Sequence, residues 1–124
     1  MPSVLYIITS SPQSSREGAD ALEAVMASCA AELDVHILFI HEGVWQLKKA
    51  QATPDTDSGF ATPPKLTSKM YGAAFDYGVS SMTVYEQCLV ARGLVVEDLF
   101  VDVAVADRAL AAKQIAYCDR VIVF

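Results

Sequence analysis

Val4-Leu5-Tyr6-Ile7-Ile8-Thr9 decides the fold class. It is a continuous run of β-branched, aromatic and aliphatic residues with no polar alternation. A strand on the surface of a sheet would alternate, so this composition predicts one buried on both faces, as in a parallel sheet. The run ends in the polar turn Ser10-Ser11-Pro12-Gln13-Ser14-Ser15, where Ser14 and Glu17 form an S-x-x-E capping box. A helix is predicted next, with Leu22, Val25, Met26, Cys29 and Leu33 at helical spacing. Gly18 in its first turn costs roughly 1 kcal/mol against alanine, which predicts close packing there.

The same alternation repeats down the chain. Val35 to Ile40 predicts a second strand that breaks at His41-Glu42-Gly43 and leads into Val44-Trp45-Gln46-Leu47. Residues 48–64 turn polar and proline-rich, a long loop within one domain spanning 1–124. Thr67 to Tyr77 predicts a helix stopped by Gly78. Ser81 to Val84 predicts a third strand, Glu86 to Ala91 a short helix before Arg92-Gly93, and Phe100 to Val105 a fourth strand. Asp107 caps a last helix through Tyr117, and Arg120 to Phe124 is a fifth strand. Strands alternating with helices predict a three-layer α/β fold: an open parallel sheet of about five strands, with helices on both faces.

Composition narrows the function. Hydrophobic residues make up 53% of the 124 and charged ones 19%, so the chain is globular, and an apolar share this high in a small domain points to association with other subunits. The net charge is −6 and the nine Lys and Arg are scattered, which argues against direct nucleic-acid binding. Cys29, Cys88 and Cys118 are odd in number and contain no C-x-x-C pair, so reduced thiols in a cytoplasmic protein are expected rather than a disulfide framework. No stretch approaches the roughly 20 apolar residues of a membrane helix, and no signal peptide is read at the start.

Each candidate group has a plain alternative. The serine-rich turn offers backbone N–H groups at a helix start, and Ser10, Ser11 and Ser15 resemble the phosphate loop of flavodoxin-like FMN proteins, although serine is also common there as a helix cap. His36 and His41 stand five apart on or beside one strand and face opposite ways, so no shared metal is expected. His41, at a strand end, is either a ligand contact or a loop residue. Cys29 and Cys118 read as buried packing thiols. Cys88 lies in the short helix after the third strand and is reactive only if exposed in an electropositive setting. Trp45 is a core residue or an interface anchor, and in so apolar a chain we place it with Val44, Gln46 and Leu47 at an interface.

Three stretches together resemble a known family. They are Ser15-Arg16-Glu17-Gly18-x-Asp20-Ala21-Leu22, Phe39-Ile40-x-Glu42-Gly43-Val44-Trp45-Gln46-Leu47, and Leu89-Val90-Ala91-Arg92-Gly93-Leu94. Their order and spacing, with Asp119-Arg120-Val121-Ile122-Val123-Phe124, are similar to the TusC/DsrF branch of the DsrE/DsrF-like sulfur-relay proteins. The resemblance implies a hetero-oligomer with TusD/DsrE-like and TusB/DsrH-like sister subunits, serving tRNA wobble-uridine 2-thiolation or intracellular sulfur oxidation. A homo-oligomer is the alternative assembly.

It further implies that the persulfide-carrying cysteine of the sister subunit corresponds here to Tyr85, at a strand-to-helix junction whose dipole would favour a thiolate. Tyrosine cannot hold a persulfide, which leaves Cys88, one turn on, as a possible substitute. The expectation is an accessory subunit with no cofactor, no metal and no activity of its own. The other reading is a flavodoxin-like FMN-binding redox protein.

Overall fold

The structure is a computed structural model and describes residues 2–11, 17–48, 71, 73–99 and 103–124. Five parallel strands make one sheet: β1 (Ser3–Ile8), β2 (Asp34–Phe39), β3 (Ser81–Tyr85), β4 (Ala104–Ala106) and β5 (Arg120–Val123), in the order β4-β3-β2-β1-β5. The run that begins at Val4 becomes an interior strand between β2 and β5, and all six residues of β1 are buried. Helices α1 (Glu17–Ala30), α2 (Glu86–Ala91) and α3 (Arg108–Tyr117) accompany the sheet.

The pleat sorts the core into two layers. Val4, Tyr6 and Ile8 of β1 pack with Val35, Ile37 and Phe39 of β2 on the face that α1 covers through Ala21, Leu22 and Val25. The Tyr6 hydroxyl lies 2.6 Å from Ser28 Oγ and donates to the Ala24 carbonyl, pinning α1 to β1. Leu5, Ile7 and Leu38 point the other way and meet Ala111 and Cys118 from α3 and the turn after it. Asp107 caps α3, its carboxylate accepting from Leu110 N at 2.9 Å. The first face carries most of the apolar packing, and the second is closed mainly by the ten-residue α3.

That imbalance leaves apolar surface on one side. All four β5 residues are exposed, with Val123 at 62%, and Leu110, Ile115 and Tyr117 of α3 are exposed as well. Register places Val121 and Val123 beside Leu5 and Ile7, on the same face as α3. β5 is nonetheless firmly tied down. Ser3 N donates to Asp119 Oδ2 at 2.8 Å, Asp119 N donates back to Ser3 Oγ at 2.9 Å, and Phe124 O accepts from both the amide and the hydroxyl of Thr9.

Several boundaries differ from the sequence reading. The segment predicted as a helix to Tyr77 ends in a 3-10 turn, Ala74–Tyr77, closed by Gly78 at φ 112°. Residues 67–70 and 72 of that helix, nearly all of the 48–64 loop, and Ser14 of the capping box lie outside the described residues. β4 is described only over Ala104–Ala106, and residues 100–102 also lie outside. Cys29 is half-buried rather than buried, because the part of α1 it occupies nears the exposed end of the helix; Cys118 is buried as expected. Among the described residues no helix is long and apolar enough to cross a membrane.

Candidate functional site at the strand ends

The carboxyl ends of β1, β2 and β3 come together with the first turns of α2 and α3, the part of an open α/β sheet where ligands and reacting groups gather. What the chain does on leaving β2 builds this region. His41 turns into the left-handed region at φ 50° and begins a 3-10 turn over His41–Leu47. Gly43 is required there. A Cβ on it would stand 1.9 Å from the Ile8 carbonyl oxygen, so only glycine lets this backbone lie against the end of β1. The turn then sends Val44, Gln46 and Leu47 inward, each fully buried. Gln46 Nε2 donates to the Ser10 carbonyl at 2.8 Å, while its Oε1 finds no hydrogen-bond partner among the described residues.

This corrects the interface reading of that stretch. A side chain fully covered by its own subunit cannot meet another, so Val44, Gln46 and Leu47 are core residues. Trp45 is half-buried and packs against the core edge.

The Arg92-Gly93-Leu94 segment closes α2. Leu94 N donates to the Leu89 carbonyl at 3.0 Å and Gly93 N to that of Val90 at 3.0 Å, with Gly93 at φ 68° and both leucines buried. That is a Schellman cap with its hydrophobic contact, and it explains the L-x-x-R-G-L pattern as a helix stop. Arg92 adds a long-range tie: it donates to Glu42 Oε1 at 3.0 Å and to the Cys88 carbonyl at 3.2 Å. Two motifs that looked separate in the sequence are one structural unit.

Tyr85 closes β3 and is the N-cap of α2, half-buried, with no side-chain capping bond. α2 has only six residues, so the dipole support that the sequence reading placed at this junction is slight. Cys88 is buried, 7% exposed, and its Sγ accepts the His41 N–H at 3.1 Å. Tyr85, His41 and Cys88, together with Arg108 at the start of α3, line a cavity of about 280 Å³ whose other walls are Ile7, Leu38, Ile40, Ala111, Ala112 and Ile115. Arg108, and the cavity itself, were not legible in the sequence, because they depend on where α3 crosses the sheet.

The remaining sequence candidates fall elsewhere. His36 sits near the start of β2, 2.6 Å from Ser81 Oγ and edge-on to the Tyr117 ring. Its Nε2 is 3.1 Å from Asp34 Oδ2, an electrostatic contact rather than a well-aligned hydrogen bond. The hydrogen bond from Ser80 first, then the His36 imidazole beside it and the Tyr117 hydroxyl, hold the Asp34 carboxyl below its usual range. Among the described residues no group of three or more His, Cys, Asp or Glu could hold a metal. Ser11 is buried and Ser10 half-buried with its carbonyl taken by Gln46, while Ser15 lies outside the described residues.

Comparison with known proteins agrees with this geometry. The model of the DsrE/DsrF-like family matches residues 3–124. A TusC homolog of Vibrio vulnificus is 34% identical over 116 residues, 88% of this chain and 87% of the relative. The intracellular sulfur oxidation protein DsrF of Allochromatium vinosum is 33% identical over 103 residues, 83% of this chain and 71% of the relative. The crystal structure of the YchN protein of E. coli superposes with a TM-score of 0.80, covering all of both chains at 17% identity, which shows a shared fold.

Proposed function

Because this chain belongs to the DsrE/DsrF-like family, we propose that it is the TusC/DsrF-type subunit of a sulfur-relay complex and carries no sulfur itself. The observation that carries this reading is Tyr85, closing β3 where a cysteine-bearing sister subunit would hold its thiol. In persulfide transfer a thiolate attacks the outer sulfur of a donor persulfide. A new S–S bond forms on the acceptor, the donor's S–S bond breaks, and the donor leaves as a thiolate with no net oxidation. A phenol at Tyr85 can donate a hydrogen bond but cannot take that sulfur. Cys88 is the thiol nearest in sequence; it is 7% exposed and receives the His41 amide, which supports a packing role rather than an acceptor role.

The role left to the chain is to shape and hold the complex. The apolar side of the sheet supports it: among the described residues, Val121, Ile122 and Val123 lie exposed on an edge strand, beside exposed Leu110 and Tyr117. Apolar edge strands are normally covered in the assembled protein. We assign this side, with Trp45 as a further anchor, to contact with the TusD/DsrE-like and TusB/DsrH-like sisters. Delivery of sulfur toward 2-thiolation of the tRNA wobble uridine is the destination proposed. Intracellular sulfur oxidation is the second reading, favoured by the DsrF relative. Relatives named TusC and DsrF do not favour a flavin-binding redox protein.

Deleting the gene in its own host tests the destination. Loss of 2-thiouridine from tRNA supports the first branch; unchanged tRNA with impaired oxidation of stored sulfur supports the second. Purification of the tagged chain from that host tests the complex. Recovery with a cysteine-bearing relative supports the reading, and a lone homo-oligomer contradicts it.

A further inference from the structure

The cavity beside Tyr85 has a chemistry that the relay reading does not use. Its walls are carbon for the most part, with Ile7, Leu38 and Ile40 from the sheet and Ala111, Ala112 and Ile115 from α3. Among the described lining residues only Arg108 carries a permanent charge, and none is a carboxylate. In a chain with 15 acidic and nine basic residues, a concave site with that balance runs against the overall charge. The nearest acid in sequence, Asp107, has its carboxylate engaged by Leu110 N, and Glu42 is engaged by Arg92. At about 280 Å³ the cavity equals roughly nine water volumes of about 30 Å³ each, room for an organic molecule of roughly ten non-hydrogen atoms.

We propose that this cavity binds a small amphipathic organic anion, its apolar body against Ile7, Leu38 and Ile115 and its anionic head on Arg108. Water is a poor occupant of a space walled mainly by carbon, so an apolar body gains on entry from leaving solvent. The polar rim selects the sign of the head. Arg108 offers planar, paired donors suited to a carboxylate or sulfonate, and an ammonium head would meet that guanidinium with no acid among the described lining residues to screen it. The proposal stands whether or not the chain sits in a sulfur relay.

Octanoate, with ten non-hydrogen atoms, is the probe, and octylammonium its cationic counterpart. Calorimetric titration of the full-length chain is expected to show saturable one-site binding of octanoate and none of octylammonium. Arg108→Gln should weaken octanoate about tenfold, the loss of one charge-assisted contact, and Ala112→Trp should abolish binding by filling the cavity. Bound octanoate should also slow alkylation of Cys88 by iodoacetamide while leaving Cys29 unaffected. Absence of saturation into the millimolar range, equal binding of octylammonium, or full affinity in Arg108→Gln would each overturn the proposal. If Ala112→Trp fails to fold, the Arg108 variant and the ammonium comparison still decide it.

Discussion

The Arg92 guanidinium donates to the Glu42 carboxylate at 3.0 Å, joining residues 50 apart in sequence. Glu42 belongs to the turn that leaves β2, and Arg92 to the cap that ends α2. The same Arg92 also holds the Cys88 carbonyl, so one side chain fixes the two segments that flank the strand-end site.

A double-mutant cycle measures that tie. Glu42 is 55% exposed at its side chain, so its coupling to Arg92 should be small, about 0.5 kcal/mol. Arg92→Ala alone should cost more, about 1–2 kcal/mol, because the Cys88 carbonyl loses a donor as well. Urea unfolding of the wild type, both single variants and the double variant checks this. Coupling near zero would mean that the ion pair only decorates the surface.

Two glycines should respond very differently to alanine. Gly43→Ala drives a Cβ to 1.9 Å from the Ile8 carbonyl oxygen, a backbone atom that cannot swing aside, and should cost about 3 kcal/mol or more. Gly93→Ala meets nothing within 4 Å and is charged only for its positive φ, about 1 kcal/mol. Denaturation midpoints of the two variants give the comparison. Equal midpoints would show the approach of the turn to β1 to be looser than described.

How much of this was readable beforehand follows from which forces are local. The run from Val4 to Thr9, the Asp107 cap and the Glu86–Ala91 helix were legible because hydrophobic period and capping chemistry act within a few residues. The Glu42-Gly43 and Arg92-Gly93 stretches were recognisable as patterns, yet their physical meaning was not. One needs the Ile8 carbonyl from a different strand, and the other needs a partner across the fold. Val44, Gln46 and Leu47 were misplaced for the same reason. Apolar residues after a strand look alike whether a 3-10 turn folds them inward or leaves them out, and Gly43 decides it by tertiary contact.

Asp34 should make stability depend on pH at the acid end. Its folded pKa is lowered, by the hydrogen bond from Ser80 first and the neighbouring His36 imidazole next, so its contribution is present above the unfolded value of about 3.9. That contribution is lost as pH falls through the lower folded value. Wild type should therefore exceed Asp34→Asn in stability at pH 6, and the gap should close below about pH 4. A gap that stays constant across this range would contradict the assignment.

The three thiols should alkylate in order of access. Cys29 is half-buried, Cys88 and Cys118 buried, so native iodoacetamide labelling should reach Cys29 first, by roughly tenfold. Burial pushes the Cys29 thiol up, so its rate should still be climbing beyond about pH 8.5, the ordinary thiol value. Peptide mass spectrometry after timed labelling reads both effects.

Val123→Asp tests the assembly surface. Val123 is 62% exposed, so the chain should keep its fold and its unfolding midpoint within about 0.5 kcal/mol. Recovery with a sister subunit should fall sharply, since a carboxylate would be buried at the contact. Undiminished recovery would move the interface away from β5.

The most direct test follows the sulfur itself. The chain, in complex with its cysteine-bearing sister, is offered a persulfide donor labelled in its outer sulfur, and each subunit is then resolved without reductant. The account predicts label on the sister alone, none on this chain, and no change when Cys88→Ser is introduced. Label on this chain that disappears with Cys88→Ser would contradict it.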